Sequence, residues 1–235
     1  MGHVPTEWIV GCTGAHRRLE AAIATITNDI ARRPSTLEGW TVGHILNHLA
    51  RNADSHALVF EAAGRCEVRA QYPGGQTERA ALIEDGAQQP AEVLIANIGA
   101  AHQRLEVAWA RTGDDVWANG LGLRTLGAIS VAEFVYLRWR EVELHGIDLG
   151  LADQGGPHWD SISAGYVEIE TAISLRGLPG RLPDGVAVQI IPEERPAYVI
   201  GNSISPPPVR GSERQILRWL TGRGGLEGWP VLGPW

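Results

Sequence analysis

The stretch GWTVGHILNHLARNAD, Gly39–Asp54, has the pattern of an amphipathic helix that carries polar side chains in register along one face. Thr41 suits the N-cap position, because its hydroxyl can accept a hydrogen bond from a backbone N–H of the first turn. His44 and His48 are four residues apart and Asn52 follows four residues later, so the three side chains share one side of the helix. The whole chain has only eight histidines. Two of them on one helical face indicate a place where polar chemistry is used.

A second segment, RWREVELHGIDLG, repeats this arrangement with a carboxylate. Glu141 and His145 are four residues apart and also share one helical face. Facing helices of a bundle commonly combine such pairs into one site. A set such as His48, Glu141 and His145 can supply three of the four ligands of a catalytic zinc ion and leave one position open. Spacing alone equally fits histidines that only pack in a core or face solvent, so it does not decide between the two readings.

Helical periodicity dominates the first two thirds of the chain. We expect four helices, over about residues 5–33, 41–64, 77–111 and 130–150, with Pro90 as a potential break in the third. Helices of this length with modest connections predict a four-helix bundle.

The composition changes after Leu151, where ADQGGP indicates a linker. A helix over about 159–175, the apolar runs GVAVQIIPE and PAYVIGN, and the short helix SERQILRWL follow, before a tail rich in glycine and proline. The sequence therefore predicts an α+β protein, with a four-helix bundle over residues 1–152 and a small α/β domain over residues 153–235.

Composition argues against several classes of function. A formal charge of −7 and the lack of a lysine or arginine cluster argue against a nucleic-acid or anionic-membrane surface. The two cysteines, Cys12 and Cys66, are too few for a disulfide framework, which favours a reducing compartment. Neither a signal peptide nor a membrane-spanning apolar run is visible. We expect a soluble cytoplasmic protein.

Taken together, the segments resemble the mycothiol-dependent maleylpyruvate isomerases, which belong to the DinB-like group of metal-binding four-helix bundles. Four motifs carry the resemblance: LEGWTVGHILNHLARNA (Leu37–Ala53), RLEVAWA (Arg104–Ala110), LRWREVELHGIDLG (Leu137–Gly150) and GRGG (Gly222–Gly225). They occur in the family's order and at similar spacing across nearly the whole chain. The resemblance implies the fold described above, with the small C-terminal domain contributing to the active site.

The resemblance also implies the roles of particular residues. A zinc ion would be bound by His48, Glu141 and His145, with His44 as a neighbour rather than a ligand. Mycothiol would serve as the thiol cofactor. Arg223 matches the family's catalytic arginine, which would hold a carboxylate or the enolate that develops during the reaction.

Three further residues are expected to contact the substrate. Asn52 shares the helical face of His48, and Arg138 lies three residues before Glu141 and so on the face of the expected site. Arg79 corresponds to a family arginine more loosely, because the preceding loop EVRAQYPGGQ does not align clearly.

The implied reaction is a cis–trans isomerisation of maleylpyruvate to fumarylpyruvate, in which a zinc-held thiolate adds to the double bond and is later eliminated. Two alternatives stay open at this point. The first is a thiol S-transferase that uses the same ligands on another electrophile. The second is a non-catalytic, metal-stabilised binding module, although structural zinc usually has four protein ligands. The expected partners are a small-molecule substrate and a low-molecular-weight thiol, and the expected state is a monomer or homodimer.

Overall fold

The computed structural model describes residues 4–202 and 206–235. The chain divides into two compact units, Met1–His158 and Trp159–Trp235, whereas the sequence predicted a boundary at residue 152. The described part of the first unit contains, in chain order, α1 (Thr6–Ile23), α2 (Asn28–Arg32), α3 (Val42–Gly64), β1 (Arg69–Ala70), α4 (Gly75–Ala87), α5 (Ala91–Arg111), α6 (Asp114–Asn119), β2 (Leu121–Arg124), β3 (Gly127–Ser130) and α7 (Val131–Asp148).

Side-chain caps set the starts of the two helices that carry the candidate ligands. The Thr41 hydroxyl accepts a hydrogen bond from the backbone N–H of His44 at 3.3 Å, and His44 Nδ1 accepts one from the N–H of Thr41 at 3.2 Å. Ser130 and Glu133 form the same reciprocal arrangement at the start of α7. The predicted starts of both helices are confirmed.

The first and third expected helices are each divided in two. A continuous helix over residues 5–33 was wrong, because α1 ends at Ile23 and α2 begins at Asn28. The Thr27 side chain caps α2 by accepting a hydrogen bond from the N–H of Ile30 at 3.3 Å, and this supplies the new start. The potential break near Pro90 is confirmed, since Pro90 occupies the N-cap of α5.

The bundle consists of α1, α3, α5 and α7. Helix α3 packs against α5 and α7, while α1 packs against α7 and α5. The large apolar side chains that these helices bury completely or nearly so include Leu19, Ile45, Leu46, Leu49, Leu94, Ile98, Leu105, Phe134 and Leu144. Burial of each such side chain stabilises the fold by about 1.5–3 kcal/mol before conformational entropy is subtracted. The predicted bundle is therefore held by an apolar interior.

A small sheet lies against the bundle. Strand β2 pairs in parallel with β1 and in an antiparallel hairpin with β3, where Gly122 faces Ile129. A Cβ atom at Gly122 would come within 2.5 Å of the Val59 side chain and 2.6 Å of the Phe134 side chain. Only glycine permits this close approach of β2 to α3 and α7. The hairpin, which ends β2 at Arg124, is thereby held on the bundle.

The described residues of the second unit form α8 (Ala164–Gly177), β4 (Val188–Pro192), β5 (Tyr198–Ile200), β6 (Pro208–Gly211) and α9 (Glu213–Leu220). The strand order is β5–β4–β6, with β4 antiparallel to β5 and parallel to β6. Its buried core contains Leu178, Val188, Ile190, Val209, Ile216, Trp219 and Leu220. Strand β6 was not expected from the sequence.

The predicted α+β class is confirmed, with a helical bundle followed by a small α/β unit. Both cysteines are free, Cys12 being buried and Cys66 exposed. Within residues 4–202 and 206–235, no helix has the combination of length and apolar character that crossing a membrane requires.

His16, His56 and His102 are buried inside the bundle and neutral. Burial lowers the pKa of His56 to about 3 and, together with the nearby Arg138 charge, holds the pKa values of His16 and His102 well below their ordinary range. In the unfolded chain a histidine takes up a proton near pH 6.5. Below about that pH the unfolded state binds more protons than the folded state, so stability falls as the pH falls.

We expect the free energy of unfolding of the metal-free protein to decrease between about pH 6.5 and 5.5. Each buried histidine adds a slope that approaches about 1.4 kcal/mol per pH unit. The substitution His56→Leu should remove the part of this slope that His56 contributes. Urea unfolding followed by circular dichroism across this pH range measures the slope in both proteins. Equal slopes in the wild type and in His56→Leu would contradict the prediction.

Candidate functional site

Helices α3 and α7 bring His48, Glu141 and His145 together. His48 Nε2 lies 2.8 Å from Glu141 Oε2, and His145 Nε2 lies 3.4 Å from the same oxygen. One ligand atom from each of the three residues falls within 4.8 Å of the other two. The three side chains named from their spacing therefore form one cluster.

His44, one turn earlier on α3, has a different environment. Its Nδ1 accepts the N–H of Thr41, so the ring proton is on Nε2, which lies 3.1 Å from Glu84 Oε2. Both ring nitrogens are engaged in capping α3 and in contacting α4, and His44 lies outside the ligand cluster. The Trp40 ring lies near both histidines, with its centroid 6.2 Å from that of His44 and 5.6 Å from that of His48.

A buried carboxylate orients His145. Asp148 Oδ2 lies 2.8 Å from His145 Nδ1, which donates its proton to that oxygen. Because Nδ1 is engaged, Nε2 is the atom directed toward Glu141. A carboxylate behind a histidine in this way is the usual support of a metal-binding imidazole.

The three groups of the cluster change one another's pKa values. Burial by itself would raise the pKa of Glu141, but hydrogen bonds from His145 and His48 outweigh it and hold that pKa well below its ordinary value. Burial lowers the pKa of His48 to about 4. Burial would also lower the pKa of His145, but Asp148 and Glu141 raise it to about 9. Glu141 is therefore held as a carboxylate between the two imidazole rings.

These donors fit a zinc ion. Two imidazole nitrogens and one carboxylate oxygen match the donor set of catalytic zinc sites that keep an open position. The atoms that would bind the metal are the same ones that are hydrogen-bonded to one another. His48, Glu141 and His145 are therefore the residues that would hold the metal ion.

A cavity of about 420 Å³ opens beside Glu141. Asn52 and Arg79, two of the predicted substrate-binding residues, line it together with Arg124 of β2, which the sequence analysis missed. In the part of the chain that the structure describes, neither Arg79 nor Arg124 is paired with a carboxylate. Two uncompensated guanidinium groups in one cavity favour an anionic ligand.

Arg138 is placed differently from the expectation. Its side chain is completely buried and is not part of the cavity lining. Its Nε donates to His16 Nε2 at 3.2 Å, and its Nη1 donates to the Leu49 carbonyl at 2.9 Å and to Asn52 Oδ1 at 2.8 Å. The expectation of direct substrate contact by Arg138 is corrected on this ground, because the guanidinium lies outside the cavity lining and bonds to Asn52, which is part of that lining. Spacing from Glu141 does not reveal how deep a side chain lies.

Arg223 lies in the second unit, just after α9. Its Nη1 donates to the carbonyl of Thr221 at 3.0 Å, and its guanidinium carbon stands 5.4 Å from the centroid of the Trp235 ring. The second contact has the geometry of a cation–π interaction. Local contacts thus hold the arginine within its own unit, and its catalytic role stays a prediction.

The fold and the site define a class of protein: a four-helix bundle with a cluster of two histidines and one carboxylate beside a basic cavity, followed by a small α/β unit. Residues 12–150 match the family model described as the mycothiol maleylpyruvate isomerase N-terminal domain. This match spans more than half of the chain, and the chain belongs to that family.

Two solved structures share the fold. One is the crystal structure of the mycothiol-dependent maleylpyruvate isomerase, with a TM-score of 0.86 and 22% sequence identity. The other is a mutant of that isomerase in which a histidine is replaced by alanine, with a TM-score of 0.85 and 22% identity. Each alignment covers 98% of this chain and 97% of the other chain, so the likeness extends over both units. No curated protein sequence matches the chain.

We expect purified protein to contain close to one divalent ion per chain, chiefly zinc, when elemental analysis is carried out by mass spectrometry. His48→Ala or His145→Ala should remove most of it, because supporting residues tune a site but do not replace a lost ligand. His44→Ala is the matched control, since it removes an imidazole from the same helix one turn away. It should retain the metal while losing about 1 kcal/mol of capping stability. Undiminished metal in both ligand variants would refute the assignment.

Proposed function

We propose that this protein is a mycothiol-dependent isomerase that converts maleylpyruvate to fumarylpyruvate. The observation that carries the proposal is the shared position of Glu141, which belongs to the candidate metal cluster and also lines the cavity that contains Arg79 and Arg124. A nucleophile prepared at the cluster would therefore lie next to a place that attracts carboxylates. Membership of the family and the similarity in fold support the same reaction.

The reaction needs a thiolate and a conjugated double bond. A zinc ion held by His48, Glu141 and His145 would keep the sulfur of mycothiol deprotonated at neutral pH. The thiolate adds to one carbon of the cis double bond, and the displaced electron pair moves onto the conjugated carbonyl group as an enolate. The new single bond rotates, the enolate restores a trans double bond, and the thiolate leaves. No atom is gained or lost, so the thiol is regenerated.

The residues of this chain bind and orient the substrate. Arg79 and Arg124 are positioned to make charge-assisted hydrogen bonds with its carboxylates. Asp148 keeps the Nε2 atom of His145 directed at the cluster. We assign Arg223 to the carboxylate or developing enolate on the strength of the family resemblance. A donor aimed at such a developing charge typically lowers the barrier by about 2.7–4 kcal/mol.

We propose the cytoplasm as the place of action, because the reaction depends on a thiol that stays reduced. The free state of Cys12 and Cys66 agrees with a reducing compartment. The reaction itself consumes no reductant.

The direct test is an assay of the zinc-loaded protein with maleylpyruvate and mycothiol. We expect fumarylpyruvate to form while the concentration of free thiol, titrated at the start and at completion, stays constant. An S-transferase that acts on another electrophile would consume one thiol per turnover and yield no fumarylpyruvate. That result would replace the isomerase assignment while keeping the same ligand residues.

Arg223→Ala tests the contribution of the second unit. We expect turnover to fall by about a hundredfold or more, the loss typical when a donor to a developing anion is removed. Metal content should not change, and the melting temperature should fall by no more than about 4 °C. Arg223→Lys should recover only part of the activity, since an ammonium group lacks the planar two-pronged contact.

Arg176→Ala is the matched control, because it removes an exposed arginine from α8 of the same unit. It should retain wild-type turnover. Wild-type turnover in Arg223→Ala would instead show that catalysis needs residues of the bundle only.

A further inference from the structure

Arg138 determines which atom of Asn52 faces it. A guanidinium group only donates hydrogen bonds, so the Asn52 amide atom 2.8 Å from Arg138 Nη1 is the oxygen. The amide nitrogen is then directed away from the guanidinium. Asn52 lines the cavity beside Glu141 and Arg138 does not. The group that Asn52 offers to the cavity is therefore its NH2 group.

Two further helices hold Arg138 in place. His16 on α1 accepts the Nε–H of Arg138 on its Nε2, so its own proton is on Nδ1. That proton is donated to Glu106 of α5, where the Nδ1 to Oε1 distance is 2.8 Å. Burial and the charge of Arg138 keep the pKa of His16 well below its ordinary value, so the acceptor nitrogen stays unprotonated. Glu106, His16, Arg138 and Asn52 thus form one chain of hydrogen bonds across α5, α1, α7 and α3, and this chain ends at the cavity.

Several of the side chains that line the cavity carry hydrogen-bond donors. Arg79 and Arg124 contribute guanidinium groups, and the carboxylate of Glu141 is engaged by His48 and His145. Asn52, a residue only 1% exposed to solvent, adds the donor of its NH2 group. A hydrogen bond made in such a dry place is stronger than one in water, and a mismatched group there is correspondingly costly. These donors suit the oxygens of a carboxylate.

We propose that Arg138 is a positioning residue that holds the Asn52 amide with its NH2 group toward the cavity, and that Asn52 donates there to a carboxylate of the bound substrate. The proposal rests on the proposed function for the identity of that substrate as a dicarboxylate. Its geometry can be tested independently of turnover with maleate, the simplest cis dicarboxylate.

The first experiment uses Asn52→Asp, which keeps an oxygen for Arg138 and replaces the donor by a negatively charged oxygen. Calorimetric titration of maleate into the zinc-loaded protein should show a dissociation constant raised by about tenfold to a hundredfold, as expected for loss of a hydrogen bond to a charged group. Asn97→Asp makes the same change of charge at a half-buried position of α5, away from the cavity lining. It should shift the constant by less than about twofold, because solvent screens a charge that lies far from the ligand. Equal affinity in the wild type and in Asn52→Asp would overturn the proposal.

The second experiment separates positioning from a merely structural role. Arg138→Met should weaken maleate binding by about tenfold in the wild-type background and have no further effect in an Asn52→Ala background, because the two residues then act as one unit. Equal weakening in both backgrounds would overturn the positioning role. Arg138→Lys serves the same cycle if the methionine variant does not fold, since one ammonium group cannot reach both His16 and Asn52.

A spectroscopic measurement needs no change at Arg138. The side-chain NH2 resonances of Asn52 in a nitrogen–proton correlation spectrum are identified by their loss in Asn52→Asp. They should shift when maleate is added to saturation, and unchanged resonances would overturn the proposal.

These outcomes also keep the proposal separate from the isomerase assignment. Maleate binding that depends on Asn52, in a protein that does not isomerise maleylpyruvate, would support the positioning role and refute the isomerase. Isomerisation by a protein whose maleate affinity is unchanged in Asn52→Asp would refute the positioning role alone.

Discussion

The alignment of the bundle helices depends on one buried positive charge, the guanidinium of Arg138. The guanidinium of Arg138 has no exposed surface, and removing such a charge from water costs several kcal/mol unless it finds partners. Its partners are His16 on α1, and the Leu49 carbonyl and Asn52 on α3. A shift of either helix by one residue would separate these groups and leave the guanidinium without these hydrogen-bond acceptors. Apolar packing can tolerate small shifts, so the buried guanidinium contributes to the specific alignment of α1, α3 and α7.

That alignment also assembles the candidate site. Glu141 follows Arg138 by three residues on α7, so the rotation of α7 that buries the guanidinium also directs this carboxylate toward His48 on α3. His145 completes the cluster, since Asp148 fixes its ring from behind. The nitrogen and oxygen atoms that contact one another in the cluster are also the atoms that would bind a cation.

Local sequence patterns were enough to predict most of the helices and the three residues of the ligand cluster. Thr41 and Ser130 indicate where their helices begin, because each capping interaction joins residues only three positions apart in the sequence. The apolar periodicity around Ile26 continues across the break between α1 and α2. For this reason the sequence analysis did not identify Thr27 as the N-cap of α2. No sequence pattern predicted a role for Arg124. Its segment has the glycine content of a turn, and the two strands of the hairpin are only four residues long. Its place in the cavity depends on the close approach of Gly122 to the bundle.

The sequence by itself determined the class of fold, the helical faces, the family and the three candidate ligands, because each of these depends on spacing within a helix or on a short motif. The tertiary structure decided the depth of Arg138, the direction of the Asn52 amide and the presence of Arg124 in the cavity. Arg138 meets Asn52 across 86 residues and His16 across 122 residues. Contacts over such separations arise only when helices pack at a particular rotation and register. No pattern within a single helix records them.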